Sequence, residues 1–531
     1  MRPFQADGAF QPVESGDGLR RTAVRGAAAS VVGQTAGFVL QIASVMVLAR
    51  LLTPSDFGIV SMVTTVNLLF RSFGLNGFTE LIMQREELSE ALASNLFWIN
   101  LGIGTLLTFV FAGSGNLLAL FFHDSAVAPV AVGMSLTIVL GCLAYIHLAL
   151  LQRAMHFRTV AIINIIGLSV YVVVSIVCAF VGLHYWALVW GTVGQSVIIA
   201  VLSWAMCRWV PSRPTRALGT SSGVTFAFNV YLHFGFNYLT RNTDNLLVGY
   251  RFGAQVLGFY KRAYDLFVLA ATQLLSPISN VAVSTLSRVS GDRGQFERYF
   301  LRALSIMAFL GMGIGADFCL VGKDLIRVLL GPQWGEAGRI FTLFGPGIGV
   351  MLLYNTHGWI HLAIGRPDRW FRWGLIEFFC TAGLFVLMLR WGPSGVAFAW
   401  TISFFLLMFP GFWYAGKPVG LKTGAIFAVI WKFFAASLAA GYLSYIALHA
   451  TPYSGAEFGA FGAFVRMISV SVVFALLYLL AVIVLHGGGK PITDSVALLR
   501  DLLPQRTTNS VSPRNPDVDE AILRQPQESR T

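Results

Sequence analysis

Charge is what this sequence is short of. Only 12% of its 531 residues are Asp, Glu, Lys or Arg, while 56% are hydrophobic and the mean hydropathy is +0.69. A soluble domain is about a quarter charged, so this chain cannot cover a water-facing surface and a soluble globular protein is excluded. Cysteine is scarce too. Cys142, Cys178, Cys207, Cys319 and Cys380 stand singly in or beside apolar segments, with no CxxC pair, which supports neither a disulfide framework nor a zinc site. No Walker A sequence occurs, and the glycines of GMGIGAD (311–317) do not follow a strand; nucleotide binding and ATP hydrolysis are not expected. His357 and His361 have the i, i+4 spacing of metal ligands but lack HExxH or a third ligand. Zinc takes three or four ligands, so a packed or interfacial pair is the better reading. A large loop with clustered acids and bases is also missing, which argues against a membrane glycosyltransferase or polysaccharide polymerase.

What is present is apolar length. A span needs roughly 20 apolar residues, and candidates fall at about 27–48, 57–77, 91–113, 128–150, 160–181 and 184–206, then 223–249, 263–287, 302–321, 338–362, 370–391 and 394–415, then 423–448 and 464–486. The fold class expected is all-α: a polytopic membrane protein with about fourteen transmembrane helices in two six-helix lobes plus a C-terminal helix pair. The divisions are a cytoplasmic tail (1–25), a first lobe (26–206), a cytoplasmic linker (207–222), a second lobe (223–415), the extra pair (416–487) and a largely disordered cytoplasmic tail (488–531). The net charge of +12 does not indicate nucleic acid, because the basic residues lie mainly between spans. Clusters such as Arg20–Arg25, Arg153 and Arg158, Arg208–Arg216, Arg288–Arg298 and Arg366–Arg372 all fall on the cytoplasmic side when the N-terminus is inside. Lys261 and Arg262 break the pattern. They are expected on the outer side, as an anion patch or an interface anchor.

The two lobes echo each other. LARLLTPSDFGIVSM (48–62) faces LVGYRFGAQVLGFYK (247–261) at an offset of 200, which sets Gly58 on Gly258. After the third span of each half, NLLALFFHD (116–124) resembles DLIRVLLGP (324–332). After the fourth come the basic stretches Arg153–Arg158 and Arg366–Arg372. Three echoes in one order argue for parallel lobes, an arrangement common in transporters that work by alternating access.

One segment contradicts its apolar surroundings. In NVYLHFGFNYLTRNTDN (229–245), Asn229, His233, Asn237, Arg241 and Asn245 recur at every fourth position and Asp244 falls on the same side. At 100° per residue they occupy about 160° of the helix, so this stripe should face a lobe interior or a cavity. The same offset sets Gln41 opposite Arg241 and Ser44 opposite Asp244, neutral groups against charged ones.

LARLLTPSDFGIVSM, DNLLVGYRFGAQVLGFYKRAYDL and SPISNVAVSTLSRVSGD (276–292) resemble the polysaccharide exporters of the multidrug/oligosaccharidyl-lipid/polysaccharide superfamily, above all lipid-linked oligosaccharide flippases of the colanic-acid and succinoglycan type. The resemblance covers roughly residues 25–415. It implies a V-shaped two-lobe helical fold with a central cavity in a bacterial inner membrane. It further implies translocation of undecaprenyl-diphosphate-linked repeat units for exopolysaccharide, capsule or O-antigen (lipopolysaccharide) synthesis, with a polymerase and export machinery as partners and no cofactor.

From the stripe, the offset and the polar residues within spans, the cavity residues expected are Gln34 and Gln41 from the first span, Asn67 and Arg71 from the second, and Asn237, Arg241 and Asp244 from the seventh. Arg241 either meets a substrate phosphate or acidic sugar, or pairs with Asp244; Asp244 tunes it or binds a coupling cation. Arg71 either receives a lipid diphosphate or snorkels to the interface. Asp317 and Glu377 are lone acids in apolar runs, each either an H+ or Na+ coupling site or the partner of a nearby Arg. The rival function is a drug/cation antiporter of the same superfamily, which would favour a more acidic cavity.

Overall fold

A computed structural model describes residues 3–5, 7–10, 17–85, 87–215, 220–450 and 459–493; for residues 17–31, 74, 229, 233, 270, 273–277, 280 and 449–450 the backbone alone is described. Most of the expected C-terminal tail lies outside these residues. Among them the regular structure is helical, apart from the isolated bridges Phe4–Phe10 and Ala9–Ser89.

The first half comprises α1 (Asp17–Leu51), α2 (Pro54–Ser72), a π-helical turn Phe73–Phe78 leading into α3 (Thr79–Gln84), α4 (Glu90–Gly113), α5 (Gly115–Phe122), α6 (Val127–Arg153), α7 (Phe157–Phe180) and α8 (Trp186–Cys207). The second comprises α9 (Thr220–Arg288), α10 (Arg293–Leu330), α11 (Gly335–Asn355), α12 (His357–Ala363), α13 (Pro367–Met388) and α14 (Gly392–Gly416). A final pair follows, α15 (Thr423–Ala450) and α16 (Gly459–His486). Eleven stretches among the described residues are long and apolar enough to cross a membrane. This differs from the fourteen expected because α13 and α14 run together as Pro367–Val419, and α9, which carries the polar stripe, is not among the eleven. Helices of this kind satisfy their backbone groups internally, as a chain in lipid must.

Both halves turn the same corner by different chemistry. In the first, Thr53 caps α2: its Oγ1 accepts from the Asp56 N–H at 3.3 Å, its own N–H donates to Asp56 Oδ2 at 2.9 Å, and Pro54 fills the first helical position. The reciprocal capping box stops α1 and starts α2 at one place. In the second half the matching residue is Gly253, with φ of +79°, a backbone conformation that a side chain would strain. The 69 residues of α9 are therefore two helices set at a corner.

At these corners the halves meet reciprocally. A Cβ on Gly58 would stand 1.7 Å from the Ala254 carbonyl oxygen, and one on Gly258 would stand 1.8 Å from that of Pro54. Residue 54 corresponds to 254 at the same offset that relates 58 to 258, so the contact has the i-to-j, j-to-i form of a two-fold interface. The second echo lies alongside. Phe122 of α5 packs at Gly249, while Gln333 and Trp334, after α10, donate to the Ala49 carbonyl, Trp334 at 2.8 Å.

Away from the corners the symmetry breaks. α2 follows α9 towards its start, where Tyr238 donates to the Thr65 carbonyl at 2.9 Å and Phe73 meets Tyr231 edge-on. Among the described residues α1 leans instead on α7 and makes few contacts with α9. At the end of the molecule that holds the linker 208–215, the described residues 3–5 and 7–10 of the expected N-terminal tail pack against the first half. Phe4 packs on Trp209, the Arg153 guanidinium sits 5.1 Å over the Phe10 ring, and the Glu90 N–H donates to the Gly8 carbonyl at 2.8 Å.

The final pair docks on α10 through polar contacts. Arg466 forms a two-pronged ion pair with the buried Asp324, Ser471 donates to Asp317 Oδ2 at 3.0 Å, and Tyr478 donates to the Phe309 carbonyl at 2.8 Å.

Candidate functional site

A cavity of about 590 Å³ lies between the halves. The first half contributes Gln41, Ser61, Thr64 and Thr65 to its wall; the second contributes Tyr238 and Arg241 before the corner, and Lys261, Arg262, Tyr264 and Asp265 after it. Lys261 is ion-paired to Asp265, Arg262 lies 3.7 Å from the same carboxylate, and the Arg262 guanidinium sits 4.1 Å over the Phe57 ring. Arg241 is exposed to the cavity. Three cations thus face one carboxylate. A charge at membrane depth is costly without water or a partner, and this wall leaves more positive than negative charge facing the cavity.

The placement of Lys261 and Arg262 corrects the sequence expectation of an outer-surface patch. The second part of α9 resumes directly after Gly253, whereas the apolar count begins its span at 263. The first turns of a cavity-lining helix therefore read as loop. Lys261 and Asp265 at i, i+4 were the visible signal.

The stripe on α9 divides. Asn237 and Arg241 are exposed, and both line a second chamber of about 220 Å³ within the second half. There Glu377 of α13 accepts from Tyr354 Oη at 2.9 Å, Tyr354 accepts from Trp373 Nε1 at 2.7 Å, and Arg241 is near enough to Glu377 to interact electrostatically. Asp244 faces the other way and is fully buried. Its Oδ2 accepts from Tyr260 Oη at 2.6 Å and from Trp400 Nε1 at 2.9 Å. Among the described residues no ion pair joins Arg241 to Asp244. Two neutral donors hold Oδ2 without burying a second charge, which would cost further desolvation, while Oδ1 is buried with no hydrogen-bond partner among the described residues. Asn245 is buried and donates to Asn242 Oδ1 at 3.2 Å; the side chains of Asn229 and His233 lie outside the described structure.

The other expected residues fall in different places. Gln34 and Gln41 are exposed on a groove between α1 and α7, and Gln41 reaches the central cavity as well. Arg71 is partly buried, with Nε donating to Tyr145 Oη at 2.7 Å. Asn67 is buried against α6, donating to the Met134 carbonyl at 3.1 Å and accepting from Thr137 at 3.2 Å. Asp317 lies in the α10–α16 seam. His357 and His361 are buried with rings 6.0 Å apart, and among the described residues no three His, Cys, Asp or Glu side chains form a metal-holding group.

A membrane protein of repeat-related helical halves around a polar cavity has the architecture of a transporter. The comparisons agree on the fold. Along 89% of its length the chain superposes on 99% of the lipid II flippase MurJ in an inward closed conformation, with a TM-score of 0.68 at 14% identity. It also superposes on an inward-facing multidrug resistance MATE family transporter, with a TM-score of 0.60 at 12% identity over 74% of this chain and 98% of that one. In sequence it is 25% identical to the succinoglycan biosynthesis transport protein ExoT of Rhizobium meliloti (strain 1021) over 68% of this chain and 74% of the relative. It is 21% identical to the lipopolysaccharide biosynthesis protein WzxC of Escherichia coli (strain K12), again over 68% and 74%. The chain belongs to the polysaccharide biosynthesis protein family, whose signature matches residues 47–339, more than half of its length.

Proposed function

We propose that this protein is a flippase. It moves polyprenyl-diphosphate-linked oligosaccharide repeat units across the bacterial inner membrane by alternating access, for exopolysaccharide, capsule or O-antigen synthesis. It is not an enzyme, it spans the membrane fourteen times, and both termini are cytoplasmic. The observation that carries the reading is the cavity at the seam of the two halves, lined by Arg241, Lys261 and Arg262 with Asp265 as the carboxylate in its described lining, while Arg241 also lies near Glu377 of the second chamber. Such a wall suits a diphosphate, which guanidinium and ammonium groups bind with charge-assisted hydrogen bonds. The scarcity of contacts between α1 and α9 among the described residues supports a ligand whose polyprenyl tail stays in the bilayer. With the corners outward, the state described is shut on the periplasmic side. The names of ExoT, a succinoglycan biosynthesis transport protein, and WzxC, a lipopolysaccharide biosynthesis protein, point to the same class of cargo.

A drug/cation antiporter would favour a more acidic cavity than one lined by Arg241, Lys261 and Arg262 with Asp265. Energy comes from an H+ or Na+ gradient or from consumption of the product by a polymerase and export machinery; Glu377, beside Arg241 in the second chamber, is the better placed of the two coupling acids. The test is complementation of a flippase-null strain, with identification of the lipid-linked glycan that accumulates. A strain that exports polysaccharide normally without this protein, and gains nothing from it, would sink the reading.

A further inference from the structure

The central cavity is charged, but its extension along the first half is not, and the contrast distinguishes two kinds of ligand. Between α1 and α7 runs a groove of about 480 Å³, within the ~300–1,000 Å³ typical of small-molecule sites. Four carboxamides line it: Gln34 and Gln41 of α1, Gln152 at the end of α6 and Asn164 of α7. No Asp, Glu, Lys or Arg does. Among the described residues none of the four amides has a hydrogen-bond partner in the chain. Unpaired amides are costly at membrane depth, so the groove holds water or a polar ligand.

The backbone is shaped to leave this space open. α1 closes on α7 at Gly33, where a Cβ would stand 2.8 Å from the Ala161 Cβ. One turn further, a Cβ on Gly37 would meet nothing within 4 Å. The rings of Phe38 and Phe157 flank the opening.

A primary amide offers both donors and an acceptor, which matches a hydroxyl that does both. Aromatic faces match the C–H faces of a sugar ring. Neither is what a phosphate selects; the groups that do select it stand on the opposite wall, at Arg241 and Arg262. Gln41 lines both spaces, so one ligand can occupy the two together.

We propose that the α1–α7 groove is a carbohydrate subsite, taking an uncharged, hydroxyl-rich sugar of the repeat unit while the diphosphate end lies at Arg241 and Arg262. The proposal rests on the flippase reading and specifies how the cargo is oriented.

The experiment uses the full-length protein in lipid nanodiscs and two probes: oligosaccharides released from the producing strain's own polysaccharide, and inorganic pyrophosphate. Saturation-transfer NMR reads sugar binding, and competition titration reads pyrophosphate. In Gly37→Leu, which fills the groove without touching packed backbone, and separately in Gln34→Ala/Asn164→Ala, the sugar signal falls at least fivefold while pyrophosphate binding is unchanged. Arg241→Ala gives the reverse. The proposal is overturned by a wild-type protein that binds no sugar, by groove variants that bind it normally, or by sugar binding lost only in Arg241→Ala. Glycan export by a strain lacking the protein is scored separately. Normal export there removes the flippase reading and leaves the sugar measurement to be judged by itself.

Discussion

Gly258→Ala should open the closed side of this protein. The added Cβ would stand 1.8 Å from the Pro54 carbonyl oxygen, where ordinary contact starts at 3.4 Å. The obstacle is backbone at the start of a capped helix, so the two corners must part by more than an ångström. Overpacking of a tight contact costs about 1–3 kcal/mol. Applied to the closed state alone, that shifts an open–closed equilibrium by about 5–150-fold, enough to bring states separated by a few kcal/mol into comparable population. The assay replaces the five native cysteines, introduces Thr64→Cys on the cavity wall, and measures its labelling in spheroplasts by a membrane-impermeant maleimide. Labelling from the periplasmic face should accelerate 5–150-fold in Gly258→Ala, by the same conversion. Gly58→Ala should act alike, because its Cβ would meet the Ala254 oxygen at 1.7 Å. Gly383→Ala, whose Cβ meets nothing within 4 Å, is the control. Labelling that stays at the control rate in both corner variants would refute the argument. A large effect in one and none in the other would refute the two-fold relation between the corners.

Arg241→Ala should abolish polysaccharide export while leaving the protein in the membrane, since Arg241 is exposed to both chambers; export at the wild-type level, read by polysaccharide assay with a membrane immunoblot, removes that residue from the substrate path. Asp244→Asn keeps an acceptor for Tyr260 and Trp400 and should melt near the wild-type temperature. Asp244→Leu strands both donors and should lose on the order of 2–6 kcal/mol, from ~1–3 for each buried group left unpaired; equal melting of the two variants in detergent contradicts the assignment. Arg466→Ala leaves Asp324 buried without its partner and should destabilise the docking of the final pair by about 1–3 kcal/mol. That is below the ~3–5 of a fully buried pair because Arg466 is partly exposed, and faster proteolysis between α15 and α16 is the readout.

Much of this was legible in the sequence because the bilayer writes in long words. Apolar length marks spans almost regardless of tertiary contacts, and the offset between Gly58 and Gly258 was visible as a motif before it proved to be a reciprocal contact. Side-chain direction was much less legible. Helical periodicity grouped Arg241 with Asp244, yet a face about 160° wide spans both a cavity wall and a lobe interior, and the two residues fall on opposite sides of that division. What turns Asp244 inward is a tyrosine on the next helix and Trp400 of α14, far away in sequence. Asn67 and Arg71 show the same limit, since α6 supplies their partners. Lys261 and Arg262 read as loop residues and Asp265 is missed, because a helix restarted by one glycine gives no cap to read.

The repeat explains how the protein can move; the departures from it explain what it can carry. Equivalent halves give equivalent corners, and a reciprocal contact made at Gly58 and Gly258 can be broken as one unit, leaving each half intact. Were the symmetry complete, the two walls would be chemically alike and the cavity would hold a ligand equally well in either direction. They are not alike. Gln41 stands where the second half has Arg241, and Ser61 and Met62 stand where it has Lys261 and Arg262. A ligand with a phosphate at one end and hydroxyls at the other therefore finds one favoured orientation. The second departure, α2 packed along α9 while α1 makes few contacts with it among the described residues, would leave a single flank for the proposed lipid tail. Orientation across the cavity and a single side for the tail follow from the same loss of symmetry. A substitution that restored it, Gln41→Arg, should therefore weaken discrimination between the two ends of the cargo more than it weakens binding.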